Sequence, residues 1–131
     1  MVASYSGTVQ ISPSATSVTL SDKTEFPSFT RVFGIDSLLS KMLVGLVSSI
    51  GWKRVAVICT DDAYGQLAAN EFRNFATQPK YGIEILAYET FTYDAKVNKV
   101  DIRPNLERLK QSGATIILTF MVSADTRFVF E

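Results

Sequence analysis

The sequence of 131 residues contains no histidine. Its absence excludes the Ser-His-Asp and Cys-His catalytic arrangements and zinc sites with histidine ligands. The commonest general base of enzymes is missing as well. Neither GxxxxGK[ST] nor GxGxxG occurs, so the common glycine-rich phosphate loops are also absent. The common catalytic sites built on histidine and the common phosphate loops are therefore excluded. We predict a protein that is not an enzyme, with no catalytic residues, no metal and no cofactor; the motifs discussed below, and not these absences alone, are the basis of this prediction.

Cysteine is nearly absent. The single one, Cys59, cannot form a disulfide within the chain. It ends the apolar run VAVIC, residues 55–59, which predicts a buried strand residue rather than a reactive thiol.

An excess of charge of either sign is lacking too. Thirteen basic residues balance thirteen acidic ones, so no net field attracts nucleic acid or anionic lipid. No apolar run approaches the roughly 20 residues of a membrane span. The N-terminus also lacks the charged and apolar regions of a signal peptide. We predict no nucleic-acid partner, and no signal peptide or transmembrane span within these residues.

Helical and strand-like patterns alternate from residue 36 onward. Asp36 and Ser37 form a predicted N-cap, and Gly51 a predicted C-terminal stop, around apolar residues at helical spacing. These apolar residues are Leu38, Leu39, Met42, Leu43, Leu46, Val47 and Ile50.

Three strands are predicted after this helix. The continuous apolar runs VAVIC and ATIILTF, residues 55–59 and 114–120, are typical of strands buried on both faces of a parallel sheet. Residues 83–90 form the third strand, and helical patterns lie between the strands. The order predicts an α/β fold: a three-layer, Rossmann-like parallel sheet with helices on both faces.

The ends of the chain differ from this pattern. A helix with Pro104 in its first turn is predicted to end at Gly113, and a last helix is predicted from Ser123. The first 33 residues hold only a short strand, residues 9–11, and an extended aromatic segment, residues 26–33, which cannot form a core alone. We expect the chain to be an incomplete fragment of a larger fold.

Short hydroxyl residues are concentrated in the run SPSATS, residues 12–17. This run follows the first predicted strand, and open α/β sheets bind ligands beyond the carboxyl ends of their strands. Its hydroxyl and backbone N–H groups could hold a carboxylate. The alternative is a turn or helix cap stabilised by its own hydroxyls.

A second polar run, TDDAYG at residues 60–65, follows the VAVIC strand. Asp61 and Asp62 could hold Mg²⁺, which would indicate a Mg-dependent α/β domain, or an aspartate could cap the next helix. Tyr64 could be a packed aromatic residue or could face a ligand. Asp36 could be a helix cap or could meet an ammonium group.

Taken together, these stretches resemble a known family. The chain contains the run SATSVTLSDKT and the following FTRV, then an acid, a helix ending in GWKRV, and the run DDAYG. This series of motifs resembles the periplasmic-binding-protein type I fold. More narrowly, it resembles the extracellular ligand-binding region of class C G-protein-coupled receptors, such as metabotropic glutamate receptors. The resemblance covers about residues 10–120; GWKRVAV and YG are shared with natriuretic-peptide-type receptors and bacterial amino-acid-binding proteins.

The resemblance implies a two-lobed domain that closes around its ligand. Residues 1–33 would belong to lobe 1 and the crossover, and residues 34–131 to most of lobe 2. By the same resemblance, Ser14 and Thr16 bind the α-carboxylate and α-amino groups of an amino-acid-like ligand. Asp36 would meet its ammonium group, and Tyr64 would face the ligand.

The resemblance also implies a parent protein: a plasma-membrane receptor, dimeric through an extracellular ligand-binding domain and coupled to G proteins. Gly34 and Ile35 replace the family's usual Pro-Ser before the acid. The residues that recognise a distal carboxylate lie in other parts of the fold, so the resemblance does not imply that the ligand is glutamate. A soluble amino-acid solute-binding protein and a cyclase-coupled receptor with a peptide ligand remain alternatives within this fold.

Overall fold

The computed structural model describes residues 7–92 and 102–122. Helices and strands alternate from residue 36 to residue 120, as predicted, and the helix predicted from Ser123 lies outside the described residues. The elements are β1 Gln10–Ser12, a 3₁₀ turn Val18–Ser21, β2 Phe29–Arg31, α1 Asp36–Ser49, β3 Arg54–Thr60, α2 Ala63–Ala76, β4 Glu84–Phe91, α3 Arg103–Gln111 and β5 Ile117–Phe120. The chain divides into two compact units, the first ending at Leu39 and the second beginning at Ser40.

The first unit contains the parallel strands β1 and β2. Ser12 lies opposite Arg31 at the carboxyl ends of the two strands, and the amide of Val32 donates to the Ser12 carbonyl at 3.2 Å. Phe29 of β2 is buried, and the Lys23 ammonium donates to its carbonyl. Because the strands are parallel, the loops that follow Ser12 and Arg31 leave from the same edge.

The second unit contains a three-stranded parallel sheet in the order β4-β3-β5. Alternate residues of the central strand β3 point to opposite faces, as the two-residue period of a strand requires. Val55, Val57 and Cys59 share a core cluster with residues of α1 and α2. Ala56 and Ile58 share the other cluster with Leu109 of α3. Helices therefore cover both faces, and the predicted three-layer α/β fold is confirmed.

The strand predicted to be buried at residues 114–120 is shorter than predicted and only partly buried. β5 covers Ile117–Phe120 and pairs with β3 along one side, which makes it an edge strand of the described sheet. Ile117 is 44% exposed, whereas Phe120 is packed into the core. An apolar run predicts a strand, but the position of that strand in the sheet decides how much of it is covered.

Helix α1 ends as its sequence predicts. Gly51 adopts a positive φ of 84°, which favours glycine, its amide donates to the Ser48 carbonyl, and the amide of Trp52 donates to the Val47 carbonyl. These two bonds form a Schellman motif, which satisfies carbonyls of the last turn.

The start of α1 differs from the prediction. The amides of Leu38 and Leu39 donate to the Ile35 carbonyl, so Ile35 takes the cap position and Asp36 is the first helical residue. The prediction of Asp36 as the N-cap is therefore wrong by one position. Its carboxylate still lies in the first turn, where the helix dipole stabilises negative charge.

The buried face of α1 is narrow. Val44 and Val47 belong to the core, and the Ser40 hydroxyl donates to the Ala68 carbonyl of α2 at 3.3 Å. Leu43 is partly buried against the same core. The other apolar positions of the helix and its end are exposed: Leu38, Leu39, Met42, Leu46 and Ile50. Among the described residues, no helix combines the length and apolar character needed to cross a membrane.

Candidate functional site

The hydroxyl-rich loop at residues 13–17 leaves the carboxyl end of β1. The Ser12 hydroxyl oxygen accepts the amides of Ala15 at 3.0 Å and Ser14 at 3.4 Å, so it stabilises a turn. The side-chain hydroxyls of Ser14 and Thr16 have no hydrogen-bond partner in the described part of the chain. The loop is thus both a hydroxyl-stabilised turn, through Ser12, and a segment with unused hydroxyls at the two predicted positions.

The guanidinium group of Arg31 holds the same loop. Its Nη1 donates to the carbonyls of Ala15 at 3.1 Å and Ser17 at 2.8 Å, and its Nη2 donates to the Ser21 hydroxyl oxygen. The guanidinium carbon lies 5.6 Å from the ring centroid of Phe29. Sequence reasoning used Arg31 only as part of a motif, because a contact across 14 to 16 positions has no local signal.

Thr16 and Asp36 are joined through the main chain. The amide of Asp36 donates to the Thr16 carbonyl at 3.0 Å. Asp36 is 8% exposed and opens α1. The first unit therefore contains three of the four predicted ligand residues, Ser14, Thr16 and Asp36, with the helix that carries the acid bonded directly to the hydroxyl loop.

Tyr64, the fourth predicted residue, lies in the second unit. It belongs to the first turn of α2, beyond the carboxyl end of β3, and is 49% exposed. The next residue, Gly65, is packed so closely that a Cβ there would lie 2.3 Å from the Thr60 hydroxyl oxygen and 2.6 Å from its carbonyl oxygen. Because Gly65 has no Cβ, the start of α2 packs closely against the end of β3, and this packing determines the position of Tyr64.

The two aspartates of this turn act as capping and bridging groups. The Asp62 carboxylate accepts the Gly65 amide at 2.6 Å and is the N-cap of α2, which confirms the capping interpretation. The Asp61 carboxylate accepts from the Gln66 side chain, and its amide donates to the Phe91 carbonyl at 2.8 Å. Over residues 7–92 and 102–122, no group of three or more His, Cys, Asp or Glu side chains could hold a metal.

Glu89 links β4 to α3, a contact that the sequence analysis did not find. Its carboxylate accepts from Asn105 Nδ2 at 2.8 Å and from Arg108 Nη2 at 2.7 Å, while Asn105 Nδ2 also donates to the Thr90 carbonyl at 2.9 Å. Hydrogen bonds from Arg108 hold the pKa of Glu89 below its usual value. The arrangement is a clamp between sheet and helix.

Cys59 is fully buried, as predicted. Its Sγ lies 3.6 Å from the Tyr88 hydroxyl, and burial raises the pKa of the thiol. Burial likewise raises the pKa of Tyr88 to about 12. Both groups remain protonated at neutral pH, so this pair supplies no nucleophile.

The parallel strands, the helices on both faces of the three-stranded sheet and the polar loops at its strand ends define a lobe fragment of the periplasmic-binding-protein type I fold. The profile of one protein family, described as the receptor family ligand binding region, matches residues 1–131. The chain belongs to this family.

Relatives of known identity agree with this assignment. The human taste receptor type 1 member 1 is 32% identical over 121 residues, which is 92% of this chain and 14% of that receptor. The Drosophila melanogaster metabotropic glutamate receptor is 30% identical over 101 residues, 73% of this chain and 10% of that receptor. The human G-protein coupled receptor family C group 6 member A is 41% identical over 63 residues, 48% of this chain and 7% of that receptor.

These comparisons confirm the resemblance to the ligand-binding region of class C G-protein-coupled receptors. The chain spans at most 14% of the length of these three relatives.

Proposed function

We propose that this chain is part of an extracellular ligand-binding domain that senses a small amino-acid-like ligand for a G-protein-coupled receptor in the plasma membrane. Its family membership and the names of its relatives, which include a metabotropic glutamate receptor and a G-protein coupled receptor, support this function. The role is non-covalent recognition and signalling rather than catalysis. The parent protein is proposed to be dimeric through this domain.

Four side chains carry the proposed recognition. The hydroxyls of Ser14 and Thr16 bind the α-carboxylate and α-amino groups of the ligand, the Asp36 carboxylate accepts from its ammonium group, and Tyr64 covers it. A zwitterion needs donors for its carboxylate and an acceptor for its ammonium, and these residue types supply both. The observation that carries the proposal is the hydrogen bond between the Asp36 amide and the Thr16 carbonyl. This bond links Asp36 to the loop in which, among the described residues, the hydroxyls of Ser14 and Thr16 are free.

The lobe assignment is part of the same proposal. Residues 1–33 belong to lobe 1 and the crossover, and residues 34–131 to lobe 2. A ligand that binds more tightly to the closed arrangement of the lobes than to the open one shifts the population toward the closed arrangement. This shift is the proposed signal.

The test replaces the acid in the full-length protein that carries this chain. The probe is a mixture of L-alanine, L-glutamate, L-arginine and L-phenylalanine, one amino acid from each side-chain class. Asp36→Asn keeps the shape of the side chain and removes its charge, so it should weaken the response to the mixture about 10- to 100-fold, as expected for a lost charged hydrogen bond.

Asp61→Asn is the matched control, because the Asp61 side chain is exposed and, among the described residues, its carboxylate accepts a hydrogen bond only from Gln66. It should respond like the wild type at equal surface expression. An unchanged response of Asp36→Asn would reject the ligand site. A loss confined to Asp61→Asn would instead favour chemistry at the 60–65 turn.

A further inference from the structure

The carboxyl ends of β1 and β2 place an arginine beside the proposed ligand loop. Ser12 and Arg31 are paired in the parallel register, and the loop of residues 13–17 leaves β1 immediately after Ser12. We propose that Arg31 is a positioning residue that shapes this loop into a carboxylate-binding segment. The inference rests on the proposed amino-acid-sensing function and names a residue to which no role has been assigned.

Three consecutive carbonyl groups of the loop, those of Ala15, Thr16 and Ser17, are occupied. Arg31 Nη1 donates hydrogen bonds to the carbonyls of Ala15 and Ser17, at 3.1 and 2.8 Å. The carbonyl between them, that of Thr16, accepts the Asp36 amide at 3.0 Å. Three consecutive acceptors are thus held by donors of the protein itself and are unavailable to a ligand.

The amides of Ser14 and Ala15 donate to the Ser12 hydroxyl oxygen, and in the described part of the chain the other donors of the loop are free. The hydroxyls of Ser14 and Thr16 and the amides of Thr16 and Ser17 have no hydrogen-bond partner among the residues described. A segment whose central carbonyls are occupied and whose amides and hydroxyls can still donate is complementary to an anion. Within an amino acid, the group that fits it is the α-carboxylate.

An arginine suits this role better than a lysine. The guanidinium group presents its donors in a rigid planar fork, so one side chain can hold Ala15, Ser17 and Ser21 together. The Phe29 ring, 5.6 Å from the guanidinium carbon, keeps the group over the strand. A lysine ammonium is a point charge and cannot hold three acceptors in this fixed geometry.

Arg31 acts through the loop and not by touching the ligand, because Nη1 and Nη2 are engaged by the loop and by Ser21. Without Arg31, the carbonyls of Ala15 and Ser17 lose their donors and can turn toward the ligand. A carboxylate would then meet acceptors as well as donors. The expected defect is therefore a loss of preference for a carboxylate, in addition to a loss of affinity.

The experiment compares two probes on the full-length protein at the cell surface. One is the mixture of L-alanine, L-glutamate, L-arginine and L-phenylalanine, and the other is the mixture of their α-amides, which lack the α-carboxylate charge. Arg31→Ala and Arg31→Lys should each weaken the response to the acids about tenfold or more and the response to the amides much less. A purely structural defect would reduce both responses together.

Arg54→Ala is the control, because Arg54 is exposed at the start of β3 and, within residues 7–92 and 102–122, forms an ion pair only with the exposed Glu84, at 3.5 Å. It should leave both responses unchanged. Ser21→Ala removes one of the three acceptors of Arg31 at an exposed position, so it tests the inference if the arginine variants fail to reach the surface. We expect it to reduce the preference for acids by about two- to fivefold, as a single exposed hydrogen bond allows.

The outcomes separate the two proposals. If Ser14→Ala and Thr16→Ala weaken the response to the acids while Arg31→Ala, Arg31→Lys and Ser21→Ala do not, the inference about Arg31 is overturned and the proposed function stands. A wild-type protein that responds to neither probe overturns the proposed function, and the inference with it. Equal losses for acids and amides in the Arg31 variants also overturn the inference, because they indicate a general structural role.

Discussion

Gly65 lies against Thr60 so closely that a Cβ at position 65 would meet the Thr60 hydroxyl oxygen at 2.3 Å. The Thr60 hydroxyl is buried and has no hydrogen-bond partner in the described chain, and the nearby atoms also include the Thr60 backbone. The neighbouring backbone cannot move aside without shifting strand β3. The contact therefore requires glycine after Tyr64, and it determines the distance between α2 and the central strand.

Gly65→Ala should destabilise the domain by about 1–3 kcal/mol, the usual cost of overpacking a closed contact. Tyr64 is adjacent, so its position should shift as well. The measurement is the free energy of unfolding of the purified ligand-binding region in urea.

Gly45→Ala is the matched control for this variant. Gly45 lies in the middle of α1, and a Cβ there meets nothing within 4 Å. Alanine should therefore stabilise the helix by about 0.5–1 kcal/mol through its higher helix propensity. Equal effects of the two substitutions would contradict the close packing of α2 on β3.

Asp62 should contribute to stability as a helix cap. Its carboxylate accepts the Gly65 amide at 2.6 Å, and Asp62→Ala should cost about 1 kcal/mol of unfolding free energy. Asp62→Asn, which keeps an acceptor, should cost much less. Asp61→Ala is the comparison and should be close to neutral, so a larger loss at Asp61 than at Asp62 would reject the assignment of the cap.

Glu89 should make stability depend on pH. Its pKa is lowered in the folded state by the hydrogen bonds from Arg108, so the charged carboxylate stabilises the fold above its unfolded pKa of about 4.5. That contribution decreases as the pH falls below this value, because the unfolded state then binds the proton, and it is lost once the pH lies below the lowered pKa of the folded state, where both states bind it. Glu89→Gln should cost about 1–3 kcal/mol at pH 7 and progressively less below pH 4.5. The measurement is the free energy of unfolding in urea from about pH 3 to about pH 7, a range that spans the unfolded pKa of Glu89 of about 4.5.

Glu84→Gln is the control for the Glu89 variant. Glu84 forms a surface pair with Arg54 at 3.5 Å, in which the side chains are 67% and 66% exposed. Exposed pairs contribute about 0–1 kcal/mol, so this variant should show little effect at any pH. A Glu89→Gln difference that stayed constant from pH 7 to below 4.5 would contradict the lowered pKa of Glu89.

Cys59 should be unreactive in the folded protein. It is fully buried, and its raised pKa keeps the thiol protonated, whereas the thiolate is the reactive form. The difference in Ellman's-reagent labelling between the parent protein and Cys59→Ala should be undetectable in buffer and should reach one equivalent in urea. Rapid labelling under native conditions would show that the core opens at β3.

Sequence patterns predicted the parts of this molecule that depend on neighbouring residues. The run VAVIC predicted a strand covered on both faces, since an uninterrupted apolar strand has no face suited to water. Asp62 and Gly51 marked a helix start and a helix end through bonds that span only a few positions. The resemblance of short motifs to a receptor family assigned the candidate site to Ser14, Thr16, Asp36 and Tyr64, and this assignment stays a prediction.

Other features could not be predicted because they join distant parts of the chain. Arg31 reaches loop carbonyls 14 and 16 positions earlier, and Arg108 reaches Glu89 19 positions earlier. These distances are set by the strand register and by helix placement. The apolar residues of α1 indicated a helix but not its narrow buried face, because side chains on several sides of the helix are apolar.

By itself, the sequence determined the alternation of helices and strands, the buried centre of the sheet and the membership of a receptor family. Local periodicity and short motifs carry this information, because each depends on residues within a few positions of one another. Only the tertiary structure decided that β5 is an edge strand of the described sheet, that Asp36 is the first residue of its helix and bonds to Thr16, and that Arg31 holds the hydroxyl-rich loop. The physical reason is that these contacts exist only after parallel strands have paired in one register and brought distant segments to the same edge.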